Sequence, residues 1–288
     1  MNIRSFIKEH PALTYFVLTF VISWGITLII IAPGGIPGTT AQIDQLFPLA
    51  LMALLVGPAG AGILTTLLVY GRAGWRDYLS RWKRWRVGIQ WYAVALLLLP
   101  LLALIILLAL ARTSDVFLPA ILTSDDKVGL LLSGLGIGLM GGFLEELGWT
   151  GFAAPELLKR KRSLVAGLII GLLWGVWHLL VTFWASGDDA GRLSLPSFLD
   201  PFLFYALVLP VFRVLMVWLY QRSGSAPMVM LMHASLTAGT LFILQPAATG
   251  SALRTYYLGL AGALWLLVGI IAVFNGGKRE KKSVPGAE

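Results

Sequence analysis

Two adjacent carboxylates, Glu145 and Glu146, interrupt a long apolar run, Gly141-Gly142-Phe143-Leu144-Glu145-Glu146-Leu147-Gly148-Trp149-Thr150-Gly151. Three further ionisable groups, His178, Arg213 and His233, stand inside later apolar runs. A charged carboxylate at the centre of a membrane-spanning helix costs roughly 2.5–3.5 kcal/mol on insertion scales, so an adjacent pair needs a compensating partner or a chemical role. A carboxylate beside an imidazole in a partly desolvated pocket can activate water, and a second histidine can then stabilise an oxyanion. Two histidines and one glutamate equally form the ligand set of a catalytic zinc site with an open position for water, which here would be Glu145, His178 and His233. The residues alone leave both alternatives open. Trp174 shares a helical face with His178, and Thr237 shares one with His233, each pair being four residues apart. Thr237 is therefore a candidate to donate a hydrogen bond to substrate or to orient the ring. Of the 11 tryptophans, most are expected in interfacial belts, and only Trp149 and Trp174 stand out by position.

The elements that must hold these groups are membrane-spanning helices. The chain has 288 residues, of which 58% are hydrophobic and 12% charged, with a mean hydropathy of +0.82, far from the proportions of a soluble domain. Apolar runs of about 20 residues cross roughly 30 Å of hydrocarbon. Eight such runs are expected, at 12–32, 46–70, 91–111, 128–155, 164–184, 201–220, 226–244 and 256–274. The fold class is thus all-α, a polytopic membrane protein. Seventeen of the 22 Lys and Arg residues fall on the set of connections that includes both termini, so both termini are expected to be cytoplasmic. The net charge of +8 is distributed as topology signals rather than as a nucleic-acid-binding surface, and no phosphate-binding motif is present. The absence of cysteine excludes disulfides, thiolate chemistry and S-palmitoylation. His10 precedes Pro11 in the N-terminal segment and reads as an ordinary solvated residue.

Glycines recur every four residues at Gly134, Gly138 and Gly142, and again at Gly167, Gly171 and Gly175. Small residues at this interval let helix backbones approach closely in lipid. Each stripe leads to an ionisable group within three or four positions, so the packing faces are expected to bring Glu145 and Glu146 toward His178. At 1.5 Å per residue, Glu146 and His178 lie at similar depth along their helices. The connection at 71–90 carries Trp75, Tyr78, Leu79, Trp82 and Trp85 at helical spacing, with six basic residues among them. It is expected to be an interfacial amphipathic helix on anionic lipid. The domain reading is a single transmembrane domain over 1–275, with its chemical core at about 128–244, followed by a polar, disordered cytoplasmic tail at 276–288.

The three motifs Glu145-Glu146-Leu147-Gly148-Trp149-Thr150, Trp174-Gly175-Val176-Trp177-His178 and His233-Ala234-Ser235-Leu236-Thr237 together resemble those of the type II CAAX prenyl endopeptidases and their bacterial relatives, the CAAX protease and bacteriocin-processing family. That family's pattern is Glu-Glu-x-x-x-Arg, then Phe-x-x-x-His, then His-x-x-x-Asn. The resemblance covers about 128–244. It implies that Glu145 with His178 activates the hydrolytic water, that Glu146 supports the site, and that His233 belongs to the oxyanion-stabilising side. The family's classification has moved between metalloprotease and metal-independent glutamate protease, so a zinc cofactor remains an open alternative. Three positions depart from the pattern. Trp174 stands for Phe, Thr150 for Arg and Thr237 for Asn. The loss of an oxyanion donor can cost about 10² to 10³ in rate. Arg213 is expected to snorkel toward the interface, the alternative being that it supplies the charge Thr150 lacks.

The reading is therefore an intramembrane endopeptidase of a bacterial or archaeal plasma membrane. Its partners would be the lipid bilayer and a membrane-associated or lipidated peptide substrate. The rivals are a non-catalytic member acting in bacteriocin immunity or as a membrane scaffold, and a transporter using the carboxylates as a proton relay.

Overall fold

The computed structural model describes residues 2–276. Among the described residues the elements are helical, with no β-strand: α1 (Ile3–Glu9), α2 (Pro11–Ile31), α3 (Thr40–Trp82), α4 (Ile89–Ala111), α5 (Ala120–Thr123), α6 (Lys127–Gly148), α7 (Ala154–Leu158), α8 (Ser163–Trp184), α9 (Leu195–Leu203), α10 (Leu209–Ser223), α11 (Ala226–Ala238) and α12 (Gly250–Gly276). Among the described residues eight helical segments are long and apolar enough to cross a membrane, and the protein is an integral membrane protein of all-α class. The expected tail at 276–288 lies, beyond Gly276, outside the described residues.

Local signals explain where these helices start and stop. Thr39 and Gln42 form a reciprocal capping box at the start of α3, Asp126 accepts from the Gly129 N–H at the start of α6, and Ser225 accepts from Met228 at the start of α11. Gly224 ends α10 in the left-handed conformation, at φ 63°. The second span runs further than its apolar stretch predicts. Helix continues to Trp82, but Gly71, at φ 59° and ψ −148°, breaks the regular path and redirects the aromatic, basic arm 72–82. That arm is helical only as far as Trp82, and residues 84–88 run without helix into α4, so the amphipathic helix is shorter than the 71–90 expected.

The spans Leu195–Ser223 and Ala226–Ile243 lie at the centre, with 67% and 72% of their most apolar stretches buried, against 22% for the third and eighth spans. α6 packs along α11, and α8 along α10. The glycine stripes make both approaches possible. A Cβ on Gly142 would sit 2.8 Å from the carbonyl oxygen of Met230, and one on Gly171 would sit 2.6 Å from Cα of Pro210. Any larger residue at either position would push the helices apart.

Three π-helical turns interrupt the central helices at Trp149–Ala153, Phe204–Val208 and Gly239–Ile243. Such turns shift the register of a helix face and are frequent near functional sites. Here they follow Glu146, precede Arg213 and follow His233.

Candidate active site

Glu145 and Glu146 occupy the C-terminal turn of α6, and both are buried, at 4% and 0% exposure. Their surroundings differ. Arg213 of α10 forks onto Glu146, with Nη1 donating to Oε2 and Nη2 to Oε1, each at 2.8 Å. The Thr150 hydroxyl donates to the same Oε2. His233 of α11 brings Nδ1 to 2.8 Å from Oε1. A carboxylate only accepts, so Nδ1 carries the proton and Nε2 is the free nitrogen of the neutral ring. Glu146 is thereby matched by one full cation and two neutral or protonatable donors.

Glu145 receives only neutral donors. The indole N–H of Trp174 donates to its Oε2 at 2.6 Å, and that of Trp149 does so at 3.3 Å. Its other oxygen, Oε1, faces His233 Nε2 across 3.7 Å, too far for a direct hydrogen bond. Trp174 also separates the other groups. The Arg213 guanidinium lies 4.2 Å over its ring, and its edge meets His233 at 5.0 Å between centroids. One indole thus touches Glu145, the guanidinium and the imidazole.

Arg213 is fully buried. The expected snorkelling does not occur, because the charge is compensated inside the bundle by Glu146 and the Trp174 face. The residue supplies positive charge to the carboxylate beside Thr150, and Thr150 itself contributes a hydroxyl to the same oxygen.

His178 takes a different position from the one its spacing suggests. Its Nδ1 donates to the carbonyl oxygen of Trp174 at 2.8 Å, leaving Nε2 free, and it forms no hydrogen bond or ion pair with either carboxylate. The imidazole facing Glu145 is His233. His178 is half-buried, stacked on Tyr205 at 4.4 Å and set edge-on against Trp177 at 4.8 Å. Glu145, Glu146, Arg213 and His233 are buried, so His178 is the most exposed of the five groups. Thr237 is half-buried on α11 and makes no side-chain hydrogen bond among the described residues.

Two contributors carried no sequence signal. Tyr205, in the π turn before α10, supports His178. Trp177 anchors α8 by donating to Ser23 at 2.8 Å, which donates to the Leu54 carbonyl at 2.6 Å. An aromatic residue inside a membrane span is too common to attract notice.

Among the described residues no three His, Asp or Glu side chains are grouped so as to hold a metal ion. Glu145 and His233 face each other, but His178 turns its protonated nitrogen to a backbone carbonyl and contacts neither, so the three expected ligands do not fit as they stand.

Fold and site define a class: a helical integral membrane protein with a buried Glu-Glu-His cluster at the meeting of four spans. The family model described as Type II CAAX prenyl endopeptidase Rce1-like matches residues 127–239. A curated relative, CAAX prenyl protease 2 of Methanococcus maripaludis, is 26% identical over 185 residues, covering 61% of this chain and 64% of that protein. The likeness to the Rce1-like type II CAAX prenyl endopeptidases lies in the segment that carries Glu145, Glu146, His178 and His233, and the chain spans just under two thirds of the relative's length.

Proposed function

We propose that the protein is an intramembrane endopeptidase that hydrolyses a peptide bond in a membrane-associated, lipid-modified protein or peptide. The observation that carries this reading is the inequality of the two carboxylates: Glu146 is saturated by Arg213, His233 and Thr150, whereas Glu145 keeps Oε1 open toward His233 Nε2 at 3.7 Å. A water molecule at about 2.8 Å from both atoms completes a triangle on that base, donating one hydrogen to each. Glu145 takes one proton while the water oxygen adds to the scissile carbonyl carbon. The tetrahedral species then collapses, the C–N bond breaks, and the proton passes from Glu145 to the departing amine. The products are a carboxylic acid and an amine, with one water consumed. Glu146 acts through His233. By accepting the Nδ1 proton it keeps the Nε2 lone pair aimed at the water. His178 borders the side from which the substrate arrives. The match of residues 127–239 to the family model supports peptide hydrolysis, and the name of that family supports a prenylated substrate.

Purified protein in liposomes is expected to cleave a farnesylated peptide bearing a three-residue C-terminal extension, with both products detected by mass spectrometry. Glu145→Gln is expected to lower the rate by about 10² to 10⁴-fold while the melting transition stays in place. Wild-type cleavage by a folded Glu145→Gln protein would remove Glu145 from the role of base.

A further inference from the structure

A second feature lies on the opposite face of α6. A cavity of about 420 Å³ opens between the arm that follows Gly71 and the site helix, lined by Trp75, Leu79, Trp82 and Trp85 on one side and Phe143 and Leu147 on the other. Its size falls within the roughly 300–1,000 Å³ of ligand sites. Phe143 and Leu147 stand four residues apart on one helical stripe, and Glu145, two positions from each, lies on the far side of the helix. An occupant of this cavity is therefore separated from Glu145 by the α6 backbone and is not the molecule being cleaved. Trp85 and Phe143 are exposed, at 46% and 47%, so the cavity opens outward.

The charges around the cavity have one sign. Asp77 is the only acidic residue in 72–86, and it is engaged by Arg81 at 3.3 Å. Arg72, Arg76, Lys83 and Arg86 are exposed and have no ion-pair partner among the described residues. We infer that this cavity is a binding site for one anionic phospholipid: an acyl chain lies among the aromatic side chains, and the phosphate lies among the four exposed cations. An apolar slot rimmed by unpaired cations at the end of a span matches a lipid with an anionic headgroup, and a neutral lipidated peptide leaves those cations unmatched.

Native mass spectrometry of the full chain in detergent, titrated separately with phosphatidylglycerol and phosphatidylcholine, tests the assignment. One phosphatidylglycerol is expected to be retained, with at least about tenfold preference over phosphatidylcholine. The surface variant Arg72→Gln, Arg76→Gln, Lys83→Gln, Arg86→Gln is expected to lose that preference, and Leu79→Trp, which fills the cavity, to lose retention of either lipid. Equal retention of the two lipids by the wild type, undiminished phosphatidylglycerol binding by either variant, or retention of a neutral farnesylated peptide in place of phosphatidylglycerol would each overturn the assignment.

Discussion

Glu145 and Glu146 are neighbours in sequence, equally buried, and held in opposite ways. Around Glu146 the bundle assembles a guanidinium fork, an imidazole and a hydroxyl from α10, α11 and the π turn after α6. Around Glu145 it provides two indole N–H groups on one oxygen and leaves the other oxygen facing an imidazole at 3.7 Å. The contrast separates two jobs that a buried carboxylate can do. A carboxylate whose acceptor sites are filled by a cation is an anchor, since moving a proton onto it would break several bonds at once. A carboxylate held by neutral donors on one side keeps a face available for a proton. The site uses the first to orient His233 and the second to meet it.

Breaking the anchor has the largest expected effect on the fold. Arg213→Met leaves Glu146 buried without its cation, and removing one partner of a buried pair costs about 3–5 kcal/mol. The loss is read as a fall in the unfolding midpoint in mild detergent. The double variant Glu146→Gln, Arg213→Met removes both charges and is expected to recover part of that loss, since an amide and a thioether carry no uncompensated charge. If the double variant loses as much as the two single variants added together, the two residues are not coupled and the anchor reading fails.

On the other carboxylate the expected damage is to rate. Trp174→Phe keeps a ring under Arg213 but removes the 2.6 Å donor to Glu145 Oε2. Without that donor the Glu145 carboxylate is no longer fixed opposite His233, and misplacement of a reacting group is expected to slow peptide cleavage by about 10- to 100-fold. The unfolding midpoint is expected to move much less than with Arg213→Met. A stability loss as large as that of Arg213→Met, with cleavage per folded molecule unchanged, would erase the distinction between anchor and base.

The eight spans were legible because an apolar run of the right length has few other uses, and the glycine stripes were legible as packing faces. Gly142 against Met230 and Gly171 against Pro210 are the contacts such stripes imply. Spacing also singled out Glu145, Glu146, His178 and His233. It did not reveal which imidazole meets which carboxylate. Spacing assigns a residue to a face of its own helix, whereas the meeting of Glu145 with His233 rather than His178 depends on how α6, α8 and α11 rotate against one another, and the π turns alter that register. Arg213 departs from its expected place for a related reason. A long cationic side chain reaches the interface by default, and only a fixed anion within reach reverses this, which is a fact about α6 and not about α10. The basic arm was legible as amphipathic but not in its extent, because continued aromatic and basic alternation through Trp85 and Arg86 looks helical where the chain has already left the helix at Trp82.

The smallest effects separate the two threonines at the positions where the pattern that the chain resembles has larger polar residues. Thr150 donates to Glu146 Oε2, but that carboxylate retains Arg213 and His233, so Thr150→Val removes one donor from an anchor that still holds. The expected loss is about 1 kcal/mol of stability, with cleavage slowed only as far as His233 loses its orientation. Thr237 has no side-chain hydrogen bond among the described residues, and Thr237→Val is expected to leave stability within about 0.5 kcal/mol of the wild type. Its effect on cleavage is the sharper measurement. A hydroxyl idle in the resting protein that donates to the oxyanion would lower kcat and leave KM unchanged when removed. A Thr237→Val protein with wild-type kcat removes Thr237 from oxyanion stabilisation, and leaves Thr150, through the anchor, as the one of the two positions that bears on the chemistry.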